Sequence, residues 1–362
     1  MGKLIKFELK KIMNRKKFLY IILAMIFFHL ALHGSYIFSN NNAYFATRDS
    51  DNYIGKEAKE KEKNIALYYE GKLTNEKIQS IFEELSFSDK QIMGNIELNT
   101  KVKNHFLYNI MYHFLNNTSY TLNGFNSRFS DDIIDSFYIG YSEPWSKMIY
   151  YMVYDFLLLG FLIIIVISPV FSNEYTNKMD TLLLTSCNGH IELVIAKLIC
   201  SYIICFFMVA MVLLLNIGLT SVLFGTNGLD CSVQLTNPYM FENVQSILSL
   251  RYVCIFSIFL LIIGAIVICS FTFLCSSIIK SSYGSLISAI LIYVFPIIFP
   301  VIGFSKNLIN LFPVNFLQIY SVVEINSVSK GYVFNILIVS LLSLVCCITF
   351  ATKKYISRQV KY

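Results

Sequence analysis

The sequence predicts an all-α membrane protein with six transmembrane helices, and three observations carry that expectation. Of 362 residues, 56% are apolar and only 14% are charged, where an ordinary soluble domain has about 25% charged residues. The mean hydropathy is +0.59. Six runs approach or exceed the roughly 20 apolar residues that cross a hydrocarbon core. The same numbers exclude a disordered chain and a purely soluble one.

The elements follow in order. Residues 1–17 read as a cytoplasmic amphipathic helix: Leu4/Ile5, Leu9 and Ile12 share a face, with Phe7 at its edge, against Lys3, Lys6, Lys10 and Lys11. Such a helix lies on the inner membrane surface. The simpler reading, an orientation signal, is compatible with it. Spans are expected at 18–38, 149–171, 194–224, 252–279, 283–303 and 332–350, followed by a basic tail at 351–362. The first span is too long for the apolar core of a signal peptide.

Orientation comes from Lys and Arg in the short segments. Residues 1–17 hold seven of them and one acid, Glu8; residues 351–362 hold four and no acid. Both termini are therefore expected in the cytoplasm. The loops 172–193 and 280–282 then lie inside, and 39–148, 225–251 and 304–331 lie outside. The net charge of +6, so distributed, reads as topology. Membrane lipid is the expected partner surface, and nucleic acid is not.

The insert 39–148 carries twelve Lys/Arg and fifteen Asp/Glu and reads as mainly helical. A charged run from Lys56 to Lys63 leads into Ile65, Leu67 and Tyr68. Thr74 or Asn75 caps a helix with Ile78, Ile81, Phe82 and Leu85. Ser88 to Gln91 has capping-box spacing. A further helix is expected through Val102, Phe106, Ile110 and Phe114, then a polar loop from Asn116 to Ser130. None of the nine cysteines lies in this insert, so it has no disulfide framework.

Pro296, Pro300 and Pro313 break regular helix around the fifth span. The stretch 304–331 stays apolar but is too short to cross twice. A pair of short re-entrant-type helices fits it, packed against other spans because irregular backbone at membrane depth must be satisfied within protein.

No Gly-x-x-x-x-Gly-Lys-Ser/Thr, His-Glu-x-x-His or Gly-x-Ser-x-Gly occurs. The chain is therefore not expected to be an enzyme by itself. No cofactor or metal is expected in it, and any ATP and Mg must be bound by a partner.

The informative segment is the inner loop. It reads Phe171-Ser-Asn-Glu174-Tyr175-Thr-Asn-Lys178-Met179-Asp180-Thr181, then Leu182-Leu183-Leu184-Thr185-Ser186, a turn at Asn188-Gly189, and Lys197. It resembles the permease subunits of type-2 (ABC-2-like) ABC transporters, which carry Phe-x-x-Glu, a polar turn, a Leu-Leu segment and a downstream Lys between the second and third spans. The start, Lys3-Leu-Ile-Lys6-Phe-Glu8-Leu-Lys10-Lys11 with Arg15-Lys16-Lys17, is similar to their opening. The family's usual Gly-Thr after the Glu is replaced by Lys178 to Thr181, and the insert is larger than in the plainest members.

The resemblance implies a coupling helix seated in a groove of a cytosolic ABC ATPase. It implies two permease units, identical or homologous, around one pathway, and short helices near its outer gate. Carried onto this chain, the ATPase-coupling residues are Glu174, Tyr175, Lys178, Met179 and Asp180. Independently of the family, a short stiff loop with charges and apolar anchors can pass rigid-body motion into the spans beside it. A plain solvated turn is the other reading of the same residues.

Among the polar residues inside the expected spans, His29, His33 and Asp155 stand out. Asp155 lies about 9 Å below the outer boundary if its span starts at 149, and an intramembrane carboxylate needs a partner or a wet cavity. Candidate partners are His33, at similar depth, and Tyr151 or Tyr154; snorkelling to the interface is the alternative. His29 and His33 have metal-clip spacing, but no third ligand lies nearby, so interhelical hydrogen bonding is the preferred reading. Tyr141, Trp145, Tyr150, Tyr151 and Tyr154 read as an interfacial aromatic belt or a substrate wall.

The leading expectation is the permease of an ATP-driven exporter with an amphiphilic cargo (a peptide antibiotic, lipid or drug-like molecule), in the plasma membrane of a low-GC bacterium. The alternative is a membrane sensor whose insert binds a ligand without transport. Six spans rather than four count against it.

Overall fold

A computed structural model describes residues 1–40, 44–46, 52–85, 137–179, 191–236, 241, 244, 247–312, 315, 319–329 and 331–359. The described chain falls into two compact units. One comprises Met1–Phe28, Tyr151–Asn216 and Ser257–Tyr362; the other comprises His29–Tyr150 and Ile217–Phe256.

Helices dominate. In chain order they begin with α1 (Gly2–Ile12) and α2 (Arg15–Asn40), then α3 (Lys56–Tyr68) and α4 (Asn75–Leu85) of the insert. Next come α5 (Glu143–Ile167), α6 (Pro169–Thr176), α7 (Ile191–Phe224), α8 (Val233–Thr236) and α9 (Leu250–Ile278). The series ends with α10 (Ser282–Val294), α11 (Phe299–Ile302), α12 (Lys306–Ile309), α13 (Ile319–Val328) and α14 (Tyr332–Gln359).

Among the described residues, four helical stretches are long and apolar enough to cross a membrane: Glu143–Thr176, Ile191–Phe224, Leu250–Ile278 and Tyr332–Tyr355. Two shorter apolar stretches, Phe18–Gly34 and Ser282–Ile298, stand where the first and fifth spans are expected. The protein is thus an all-α membrane protein.

Helix ends differ from the hydropathy reading for local reasons. α5 starts at Glu143, six residues before 149. An acid in the first turn suits the helix dipole, and Pro144 there removes no bond the helix would make. Ser281 Oγ accepts from Gly284 N at 2.9 Å and caps α10. Beyond Val294 the helix tightens to a 3-10 turn over Phe295–Ile298 before α11, as prolines at 296 and 300 require. α14 carries the last span straight into the basic tail.

Gly160 permits a close crossing in the first unit. A Cβ there would sit 2.3 Å from the Tyr293 ring, and Tyr293 OH donates to Phe156 O at 3.2 Å. The short helices before α14 are tied by amides. Buried Asn310 donates to Ser321 Oγ at 2.8 Å, and buried Asn315 donates to Ile309 O at 2.9 Å.

In the second unit, α3 and α4 lie close to the expected positions, and Thr74 Oγ1 accepts from Lys77 N at 3.3 Å as the cap of α4. The insert also has two small antiparallel ribbons that helical periodicity does not announce. β1 (Tyr44–Ala46) pairs with β2 (Asn52–Ile54), and β3 (Gly71–Lys72) pairs with β4 (Tyr138–Ile139). The core gathers Ala58, Ala66, Leu73, Ile78, Ile81 and Phe137, all nearly or fully buried. Ser232 ties the chain before α8 to β4, its N donating to Tyr138 O at 2.8 Å and its Oγ accepting from Tyr138 N at 2.9 Å, and Gly228, at φ +86°, lies so near Tyr141 O that no side chain fits. The expected helix through Val102–Phe114, the capping box at Ser88 and the loop from Asn116 lie outside the described residues.

Candidate functional site

The site is built where α1, α6 and α7 meet in the first unit. α1 turns Glu8 and Ile12 inward, with Leu4, Ile5 and Leu9 half-buried, and leaves Lys3, Lys6, Phe7 and Lys10 exposed. The inward face is the expected apolar one, except that a carboxylate sits at its centre.

Pro169 ends α5 and starts α6, since a proline at the first helical position loses no bond. α6 brings Glu174 beneath Lys197 of α7. Lys197 Nζ donates to Glu174 Oε1 at 2.7 Å, to Glu8 Oε2 at 3.1 Å and to Val170 O at 3.0 Å. Lys11 Nζ also donates to Glu174 Oε1 and lies 3.9 Å from Glu8 Oε1. Lys197 is 0% exposed, Glu8 1% and Glu174 2%. Two cations face two carboxylates, so the buried cluster is formally neutral. That balance is what permits it. Charges taken out of water are tolerated when paired and hydrogen-bonded, and removing one partner typically costs about 3–5 kcal/mol.

Aromatic packing closes the cluster. Lys197 Nζ stands 5.3 Å from the Phe171 ring centroid. Phe171 packs at 4.9 Å against both Phe273 of α9 and Tyr355 of α14. Phe171, Glu174 and Lys197 of the loop motif are therefore neighbours in space.

The end of α6 is specified by backbone geometry. Met179 N donates to Glu174 O at 2.9 Å and Lys178 N to Tyr175 O at 3.2 Å, the paired bonds of a Schellman motif. Lys178 holds φ +54°, a left-handed conformation that costs an L-residue about 1–2 kcal/mol and that glycine adopts freely. Its side chain is exposed, as is Met179 at 47%. Tyr175 is half-buried, its hydroxyl 3.5 Å from Ser277 O. Asp180, the Leu182–Leu184 segment and the Asn188-Gly189 turn lie outside the described residues.

The intramembrane polar residues have partners within their own units. In the first, fully buried Asp155 accepts from Asn216 Nδ2, a partner on α7 that sequence reasoning missed. In the second, His33 Nδ1 bonds His29 O at 2.9 Å and Nε2 lies 3.3 Å from Thr220 Oγ1. The two histidine rings stack with centroids 6.4 Å apart.

A second charged network braces the insert. Lys59 Nζ donates to Glu62 Oε2 and to Glu143 Oε1, each at 3.1 Å. Tyr141 OH donates to Glu143 Oε2 at 3.2 Å. Burial pulls the Lys59 pKa down, but Glu143 and Glu62 outweigh it, and the net shift is upward. Burial pushes the Cys231 thiol up to about 12, so it stays protonated. The aromatic group divides: Tyr141 and Tyr151 are buried, Tyr150 and Tyr154 are exposed, and Trp145 Nε1 donates to Thr226 O at 3.2 Å.

Sequence reasoning missed Glu8 as a site residue, although the signal was there: a lone acid in a basic segment, spaced four residues from Leu4 and from Ile12.

No curated protein and no solved structure matches the chain significantly. A family model described as ABC-2 family transporter protein matches residues 3–347. That span takes in the basic start with Glu8, Phe171 and Glu174 of α6, Lys197, three of the four long apolar helices and most of the fourth, so the chain belongs to the ABC-2 transporter family as a membrane-embedded permease.

Proposed function

We propose that this permease forms the membrane pathway of an ATP-driven exporter and docks a separate cytosolic ABC ATPase at the free end of α6. The observation that carries the reading is the burial of Glu174 in the Lys197 cluster beside exposed Lys178 and Met179. A surface that passes force must be stiff behind and accessible in front. α6 meets both conditions: a neutral charge cluster and an aromatic clasp hold it, and its Schellman end offers an apolar tip. In this reading Glu174 anchors the helix and Tyr175 packs it, while Lys178, Met179 and Asp180 meet the ATPase.

The rest of the proposal follows the same logic. α2 runs 26 residues, about 39 Å at 1.5 Å per residue, enough for the first span. α10 and α11 supply the fifth. Six spans place both termini in the cytoplasm. Two permease units enclose the pathway, α12 and α13 stand near its outer gate, and the cargo is amphiphilic.

The test is a mild-detergent capture of the tagged chain from its native membrane, followed by mass spectrometry. A protein with a Walker motif should co-purify. Met179→Asp with Lys178→Glu should release it without lowering the melting temperature of the permease. If no ATPase is captured under conditions that keep known complexes intact, the docking role fails and the sensor reading takes its place.

A further inference from the structure

Just beyond Pro169, the amides of α6 find their acceptor in another helix. Phe171 N and Ser172 N donate to Ser276 Oγ of α9 at 2.9 and 3.3 Å. Capping oxygens normally come from the residue that opens the helix, but Ser168, at that position, makes no side-chain cap bond. The remainder of α6 is laced to the same inner turn. Tyr175 OH reaches Ser277 O at 3.5 Å, and Thr176 Oγ1 lies 3.3 Å from Lys280 O and 3.4 Å from Ser282 Oγ. Ser285 Oγ returns to Ser168 O at 3.1 Å. Ser276, Ser277 and Ser285 are fully buried.

These bonds run from the break at Pro169 to the last residue of α6. They do for two non-adjacent inner segments what a continuous ladder does within one helix. Lys197 ties α6 to α7; the hydroxyls tie it to the α9–α10 turn, more than 100 residues away in the chain.

We propose that Ser276 is a positioning residue for the coupling helix, and that α6 and the α9–α10 turn move as one piece. A docked ATPase then drives α9 and α10 directly, beyond the two spans that flank the loop. This inference rests on the docking role of α6, and its test separates the two.

The first arm needs no ATPase. Amide hydrogen exchange is followed on the full chain in nanodiscs. Ser276→Ala leaves two buried donors without their acceptor, so exchange at Phe171 and Ser172 should quicken about tenfold or more, with α7 unchanged. Unaltered exchange at those two amides overturns the role of Ser276. The second arm uses Thr176→Cys with Ser282→Cys, oxidised to a disulfide in the chain carrying its captured ATPase, with each single variant as control. The locked complex should hydrolyse ATP at the rate of the reduced one. Loss of turnover that reductant restores shows that α6 and α10 separate during the cycle, and overturns the single-piece proposal. If wild-type chain captures no ATPase, the docking role is what has failed, and the exchange arm alone decides Ser276.

Discussion

Lys197 and Glu8 stand 189 residues apart in the chain and 3.1 Å apart in the structure. Their pairing makes the N-terminal helix part of the joint between α6 and α7, where the sequence alone reads it as a membrane-surface element. α1 is held there by charge as well as by its apolar face.

Removing Lys197 alone should therefore cost more than removing it together with both carboxylates. Lys197→Met leaves buried Glu8 and Glu174 with only Lys11, 36% exposed, between them, and breaking a buried pair in this way costs about 3–5 kcal/mol. Adding Glu8→Gln and Glu174→Gln should recover much of it. Thermal unfolding of the purified variants measures both. A triple variant no more stable than the single one would show that the cluster's value is not its charge balance.

Lys178 sits where glycine is favoured. Lys178→Gly should stabilise the end of α6 by about 1 kcal/mol, and Lys178→Val should destabilise it, because a β-branched residue tolerates positive φ least. Amide exchange at Lys178 and Met179, whose N–H groups close the motif, reads the effect directly. Equal protection in all three chains would contradict the assigned backbone strain.

The Lys59 network predicts a pH dependence of the insert. A lysine whose folded pKa is raised contributes stability that is complete below its unfolded value of 10.5 and is lost as pH climbs through the folded one. Unfolding of the insert should therefore ease only in strong alkali. Lys59→Met should remove that alkaline step and weaken the insert at neutral pH, since Glu62 and Glu143 lose a buried partner. Limited proteolysis across pH 7 to 12 tests the direction.

Gly160 should resist substitution. Gly160→Ala puts a methyl into the Tyr293 ring, with an overpacking cost of about 1–3 kcal/mol. Tyr293→Leu in the same chain should relieve it, although it gives up the hydroxyl bond to Phe156. Melting temperatures of the single and double variants decide. If Gly160→Ala melts like wild type, the close crossing is not tight.

What could be read in advance follows from range. The cap of α4 at Thr74 and the helices around Ile65 and Ile78 are local patterns, and local patterns are visible in sequence. The long apolar helices announce themselves by composition. The start of α5 did not, because Glu143 and Pro144 are polar or helix-breaking by composition yet suited to a first turn. Lys197 was visible as a motif residue, but its partner Glu8 lies across most of the chain, and no periodicity links them. Ser276 is one serine among many. Its role exists only because Pro169, in another helix, leaves two amides needing an acceptor. The partnership of Asp155 with Asn216 is equally non-local. The left-handed turn at Lys178 was hidden by substitution, since the family's glycine would have announced it.

The pairing of Gly71 and Lys72 with Ile139 and Tyr138 has a consequence for how such proteins diverge. The ribbon clasps the base of the excursion, and Leu73 N to Phe137 O at 2.8 Å extends the clasp by one bond. Whatever lies between Leu85 and Phe137 starts and finishes on a fixed footing. The entropy of closing a loop rises by only about 0.6 kcal/mol for each doubling of its length. The closure term therefore changes little when the number of residues between the two strands of the ribbon changes. The ribbon can thus keep its register in chains that differ in length between Lys72 and Tyr138.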